Sequence, residues 1–149
     1  MITKPCVGVL FALCAFAASG AASAATMECL QLKDGWARLP PPAMAMTAGY
    51  GTIHNTCASA VTIIGARSAA FGDVSLHETT LQGDVSRMQH LHHLVLPAGA
   101  TVELKPGGKH LMLMQGKAAL KDGQAVPLVL QLEGGSEAAA TLQVRKAGR

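Results

Sequence analysis

The sequence predicts an all-β single domain, an antiparallel β-barrel or sandwich, on three observations. Beyond an N-terminal leader the aromatic residues reduce to Trp36, Tyr50 and Phe71, so the core must be built from Val, Leu, Ile and Ala. The apolar runs are short, and turn residues recur between them at roughly the 8 to 12 residue spacing of strand-rich folds. No long amphipathic helical stretch interrupts them.

The leader comes first. One lysine, Lys4, precedes an apolar stretch from Val7 to Ala18 and small residues ending in Ala22-Ser23-Ala24, the layout of a cleaved secretory signal peptide covering residues 1–24. The stretch falls short of the roughly 20 apolar residues a spanning helix needs, and no later segment replaces it. Cys14 follows Leu13 rather than the small residue of a lipoprotein signal, so no membrane anchor is expected, and residues 25–149 should act in the periplasm as a soluble domain with one core. The formal charge of +3 falls by one with Lys4. A charge so small and scattered gives no grip on nucleic acid.

Of the four cysteines, Cys6 and Cys14 leave with the leader, and Cys29 and Cys57 stay. An even pair in an exported domain reads as a disulfide, and a loop of this size would contribute roughly 3 to 4 kcal/mol in the entropy model. A thiol pair that binds metal or exchanges disulfides is the alternative, which the absence of a Cys-x-x-Cys spacing disfavours.

Pro40-Pro41-Pro42 cannot donate to a ladder and reads as a stiff surface loop or sheet-edge crossing. Val61 to Ile64 is a β-branched run, Val74-Ser75-Leu76 alternates, Leu94-Val95-Leu96 is apolar, and Val126 to Leu132 and Ala140 to Val144 supply later strands. Gly83-Asp84, Pro97-Ala98-Gly99, Pro106-Gly107-Gly108, Asp122-Gly123 and Gly134-Gly135 are the turns between them.

Chemistry concentrates in four residues. His77 and Met88 are separated by ten residues, Met88 and His110 by 21, and His110 and Met112 by one. Two imidazoles and two thioethers form a soft set that favours Cu(I), because magnesium and calcium want oxygen and zinc rarely takes a thioether. Thioethers are neutral and resist the oxidation that thiolates suffer outside the cytoplasm, and imidazoles need only be unprotonated. Strand parity sets His77 with Ser75, opposite Val74 and Leu76, and sets His110, Met112 and Met114 opposite Leu111 and Leu113. If the leucines face the core, the donors face outward. Each residue alone has an ordinary alternative, a core-filling methionine or a solvated histidine; the specificity lies in the full spacing.

That spacing, His-x10-Met-x21-His-x-Met, resembles the periplasmic copper(I) chaperones of the PCu(A)C family. The likeness runs through His77-Glu78-Thr79-Thr80, Arg87-Met88, Pro97-Ala98-Gly99 and Leu104 to Met114, and includes Asp34-Gly35-Trp36-Ala37-Arg38 and Ala48-Gly49-Tyr50. The resemblance implies a cupredoxin-like β-barrel that binds one Cu(I) through His77, Met88, His110 and Met112. It implies delivery toward the binuclear copper centre of a terminal cytochrome oxidase, directly or through a thiol-containing copper chaperone; the protein itself is expected to be a monomer.

Two features depart from the family. The chain lacks the His- and Met-rich tail of some relatives, and it carries a cluster, His90, His92 and His93, that the family pattern does not include. The cluster is a candidate second site for Cu(II) or Zn(II), against the commoner role of solvated loop histidines. Met114, the Met44 and Met46 pair and His54 give weaker signals. Glu78 falls on the opposite strand face from His77.

Other functions fit less well. A blue-copper electron carrier needs a thiolate with two histidines, and both retained cysteines are assigned to a disulfide. An enzyme is not expected: there is no nucleophile elbow, paired-carboxylate pattern or cofactor loop. A copper-tolerance or storage protein and a metal-free β-sandwich binding module remain as alternatives.

Overall fold

The computed structural model describes residues 25–146, so the leader, its cleavage after Ala24 and Cys14 lie outside the described residues. Ten strands follow in order: β1 (Leu30–Arg38), β2 (Thr47–Asn55), β3 (Val61–Arg67), β4 (Phe71–Gln82), β5 (Val85–His90), β6 (Leu94–Leu96), β7 (Thr101–Leu104), β8 (Lys109–Gly116), β9 (Ala125–Leu132) and β10 (Glu137–Arg145). The turns between them fall at Gly83-Asp84, Pro97-Ala98-Gly99, Pro106-Gly107-Gly108 and Gly134-Gly135, as composition predicts.

The sheet runs β4-β8-β2-β1-β10-β9-β3 and returns from β3 to β4 through Ala66 and Val74, which closes a seven-stranded barrel. Closure leaves no open edge among those seven. β5 extends β4, β6 lies on β3, and β7 continues the ladder on β2 beyond β8. One seam departs from the antiparallel expectation: β1 and β10 pair in parallel. Parallel neighbours need a long connection, and the two terminal strands have the whole chain between them.

Inside the barrel, the strands alternate as a half-buried surface requires. Leu76, Leu111, Leu113, Leu130, Leu142 and Ile53 are almost wholly excluded from solvent, and the core is aliphatic. Cys29 and Cys57 form a disulfide with Cα atoms 5.0 Å apart, tying the start of β1 to the end of β2.

One polar residue holds the end of the barrel beside it. Asn55 is 0% exposed. Its amide Nδ2 lies 2.9 to 3.0 Å from the carbonyl oxygens of Ser59, Leu96 and Pro97, and its Oδ1 accepts from the Cys57 N–H at 3.0 Å. Removing the side chain would leave the buried Leu96 carbonyl and the part-buried Ser59 and Pro97 carbonyls without their donor at once. Asn55→Ala is expected to destabilise the domain by about 2 to 3 kcal/mol, read by thermal or urea unfolding. A change under half of that would mean that water replaces the amide.

A bulge in β1 shapes the outer surface near the candidate donors. The register against β2 shifts between Lys33 and Trp36, where Asp34 adopts φ 50°. Beside it a Cβ on Gly35 would sit 2.5 Å from the Thr141 carbonyl oxygen, so only glycine allows β1 and β10 to approach. Past the bulge Trp36 lies opposite Tyr50, ring centroids 4.6 Å apart.

Candidate metal site

Three strands carry the candidate donors on the outside of the barrel. β4 and β8 pair His77 with His110, Ser75 with Met112 and Leu76 with Leu111. Leu76 and Leu111 are buried at 1% and 0% exposure, so the alternate residues His77, His110 and Met112 face outward as their parity predicts. β5 then places His90 opposite His77 and Met88 opposite Thr79. The row across the sheet is therefore His90, His77, His110. Met112 stands one step down on the β8 side, and Met88 one step up on the β5 side. Both thioethers lie diagonal to His77, a separation of roughly 7 to 8 Å between Cα atoms that long side chains span.

The two imidazoles sit in different surroundings. His110 faces outward yet is only 4% exposed, because Tyr50 lies beside it with ring centroids 6.4 Å apart and Trp36 backs Tyr50. Its Nδ1 is 2.9 Å from the Gly108 carbonyl oxygen. A carbonyl only accepts, so Nδ1 carries the proton and Nε2 keeps a lone pair for a metal. His77 is half-buried, with Nε2 3.0 Å from the Ser75 hydroxyl. Burial, and then the neighbouring His90 and His110, lower its pKa below 6.5, outweighing the opposite pull of Asp73. The neutral, metal-binding form of His77 is thus favoured.

The methionines differ in freedom. Met112 is half-buried in the sheet, whereas Met88 is 55% exposed on the β4–β5 hairpin. An unbranched thioether with free rotamers can swing over Thr79 toward His77. Among the described residues no group of three His, Cys, Asp or Glu side chains is placed to hold an ion. The register is fixed just beside the histidines, where Lys109 Nζ donates to Glu78 Oε1 at 2.6 Å on the opposite strand face.

The weaker sequence candidates separate from this site. Met44 and Met46 are exposed beside an apolar groove lined by Pro41, Phe71, Gly116 and Leu120. His54 sits in β2 opposite Gln31 and Thr101. Met114 shares the outer face but pairs with Asp73, two steps from His77. Of the histidine cluster, the His90 and His92 rings lie 4.3 Å apart, tilted by 46°, and His90 stacks on His77 at 5.1 Å; His93 is exposed. Sequence reasoning overlooked Tyr50 and Trp36 as walls of the site and Ser75 as a hydrogen-bond partner of His77. Parity with His77 was the available signal for Ser75; the aromatic wall depends on the β1 bulge and had none.

The family described as "Putative lipoprotein LpqE-like" matches residues 30–144. The chain belongs to the LpqE-like family. A relative named "Putative lipoprotein Lxx21020", from Leifsonia xyli subsp. xyli, is 33% identical over 117 residues, covering 78% of this chain and 69% of its own. Among solved structures, the copper-bound PCuAC domain from PmoF2 matches with TM-score 0.66 at 22% identity, over 79% of this chain and 93% of that one. The solution structure of Cu(I)-bound DR1885 from Deinococcus radiodurans matches with TM-score 0.64 at 28% identity, over 80% of each. The expected fold is borne out: the chain has the PCuAC fold in a single barrel.

Proposed function

We propose that this protein is an extracytoplasmic copper chaperone that binds one Cu(I) through His77, Met88, His110 and Met112. The observation that carries the reading is the cross-strand register of His77 with His110, flanked diagonally by Met112 and Met88. A sheet surface brings four soft donors within reach of one another, and two of them remain adjustable. Cu(I) has a filled d shell and imposes little geometry, so such a shallow site can bind it and yield it by ligand exchange. The likeness to Cu(I)-bound DR1885 supports copper as the cargo. With both described cysteines in a disulfide, no thiolate is left for a blue-copper centre. The protein then works as a carrier, not an enzyme, and as a monomer.

Its acceptor, on this reading, is the binuclear copper centre of a terminal cytochrome oxidase, reached directly or through a thiol-containing chaperone. Deleting the gene should lower the copper content and activity of the oxidase, and wild-type protein should restore both where a His110→Ala, Met112→Ala variant does not. Loss of copper tolerance with a fully loaded oxidase would instead establish the tolerance or storage role.

Export to the periplasm, with cleavage after Ala24, completes the proposal. The relatives' names favour a lipid anchor, while Leu13 before Cys14 disfavours one in this chain. In detergent phase partitioning the exported protein is expected in the aqueous phase; recovery in the detergent phase would show the anchor.

A further inference from the structure

Four imidazoles, not two, form a continuous run on this face. Ring centroids are 4.3 Å apart from His92 to His90, 5.1 Å from His90 to His77 and 6.0 Å from His77 to His110. Solvent access falls along the run: His92 and His90 are exposed, His77 is half-buried, and His110 is 4% exposed. The outer pair is held in place by the residue between them. Leu91 packs against the core, and its N–H donates to the Leu76 carbonyl oxygen at 2.8 Å. With Leu91 pinned inward, the His90 and His92 rings meet on the exposed side beside His77.

We propose that His90 and His92 form an outer Cu(I) station, from which the ion passes through His77 into the His77, Met88, His110 and Met112 site and by which it leaves. The inference rests on that inner site holding Cu(I). Two neutral imidazoles are a competent donor pair for copper; with no third His, Cys, Asp or Glu gathered there among the described residues, a further position can be taken by a ligand of the molecule that supplies or receives the ion. Passage inward is two ligand exchanges: a bond from Cu(I) to a His77 nitrogen forms as the bond to His92 breaks, and bonds to His110 and the thioethers of Met88 and Met112 form as the bond to His90 breaks. The ion stays Cu(I), and no proton or electron moves. His90, stacked on His77, is the shared neighbour through which the ion never becomes free.

The test compares the exported protein with a His90→Ala, His92→Ala variant and a His93→Ala control, titrated anaerobically with Cu(I) against a chromophoric chelator and followed by stopped flow. Wild type should take one tight equivalent and a second, weaker one. At pH 7.5 the double variant should lose the weaker equivalent and exchange the tight one about tenfold more slowly, with the tight affinity at that pH unchanged. The His93→Ala control should match wild type. A weaker equivalent or an exchange rate unaffected by the double variant overturns the outer station. Absence of the tight equivalent from wild type itself overturns the inner site instead, so the two failures read differently.

Discussion

Replacing Met88 and Met112 together by alanine should abolish the tight Cu(I) equivalent while leaving the barrel folded. Met88 is 55% exposed on the hairpin and Met112 half-buried on the outer face, so neither contributes to the aliphatic core, and the thermal midpoint should move little. The affinity should move a great deal. With the two sulfurs gone, only His77 and His110 remain at the centre of the row, and even losing a partner that merely orients a ligand costs about 10- to 100-fold in metal affinity. A loss of at least about 100-fold is therefore expected, measured anaerobically by competition with a Cu(I) chelator. The single variants should be unequal. Met112 starts in the sheet beside His110, whereas Met88 must swing across Thr79, so Met112→Ala should weaken binding more. Affinity unchanged in the double variant would show that copper is held by imidazoles alone, and the thioether reading would fall.

What the sequence made legible was local. Strand parity put His77, His110 and Met112 on one face because Leu76, Leu111 and Leu113 had to be inside, and the barrel honours that at each position. Turn residues marked the strand ends because glycine, proline and aspartate have backbone preferences that act within a few residues. The parallel pairing of β1 with β10 was not legible, since it joins the two ends of the domain and no short-range pattern encodes it. Nor was the burial of outward-facing His110. It arises from the bulge at Asp34 and Gly35, which sets Trp36 against Tyr50 and Tyr50 beside the imidazole.

His90 lies between these cases. The tight turn at Gly83-Asp84 sets Gln82 opposite Val85, and counting back along the hairpin places His90 opposite His77 and Met88 opposite Thr79. The information was in the chain. The four-residue spacing points to Met88 and carries no sign of His90, although register puts His90 in more direct contact with His77 than Met88 is.

The same contact governs the second large effect, the response to acid. Copper must compete with protons for the imidazoles, so Cu(I) affinity should fall with pH by up to about tenfold per unit for each histidine that has to shed a proton. For His77 the fall is delayed. Burial, then His90 and His110, hold its pKa below 6.5, so at pH 6.5, where a free imidazole is half protonated, His77 is still mostly neutral and available. The sign for stability follows from the same shift. Below pH 6.5 the unfolded chain takes up a proton that folded His77 resists, so its contribution to stability is present above 6.5 and is lost as pH falls through the lower, folded-state value. Imidazole NMR shifts of the copper-free protein should give a His77 midpoint under 6.5, and Cu(I) affinity measured between pH 7.5 and 5.5 should bend below 6.5 rather than at it. His90→Ala removes one of the repelling neighbours, so it should raise the His77 midpoint and move the loss of copper to higher pH. A His77 midpoint at or above 6.5 in the wild type would mean that Asp73 and solvent outweigh burial, and the site would then release copper at milder acidity than its geometry implies.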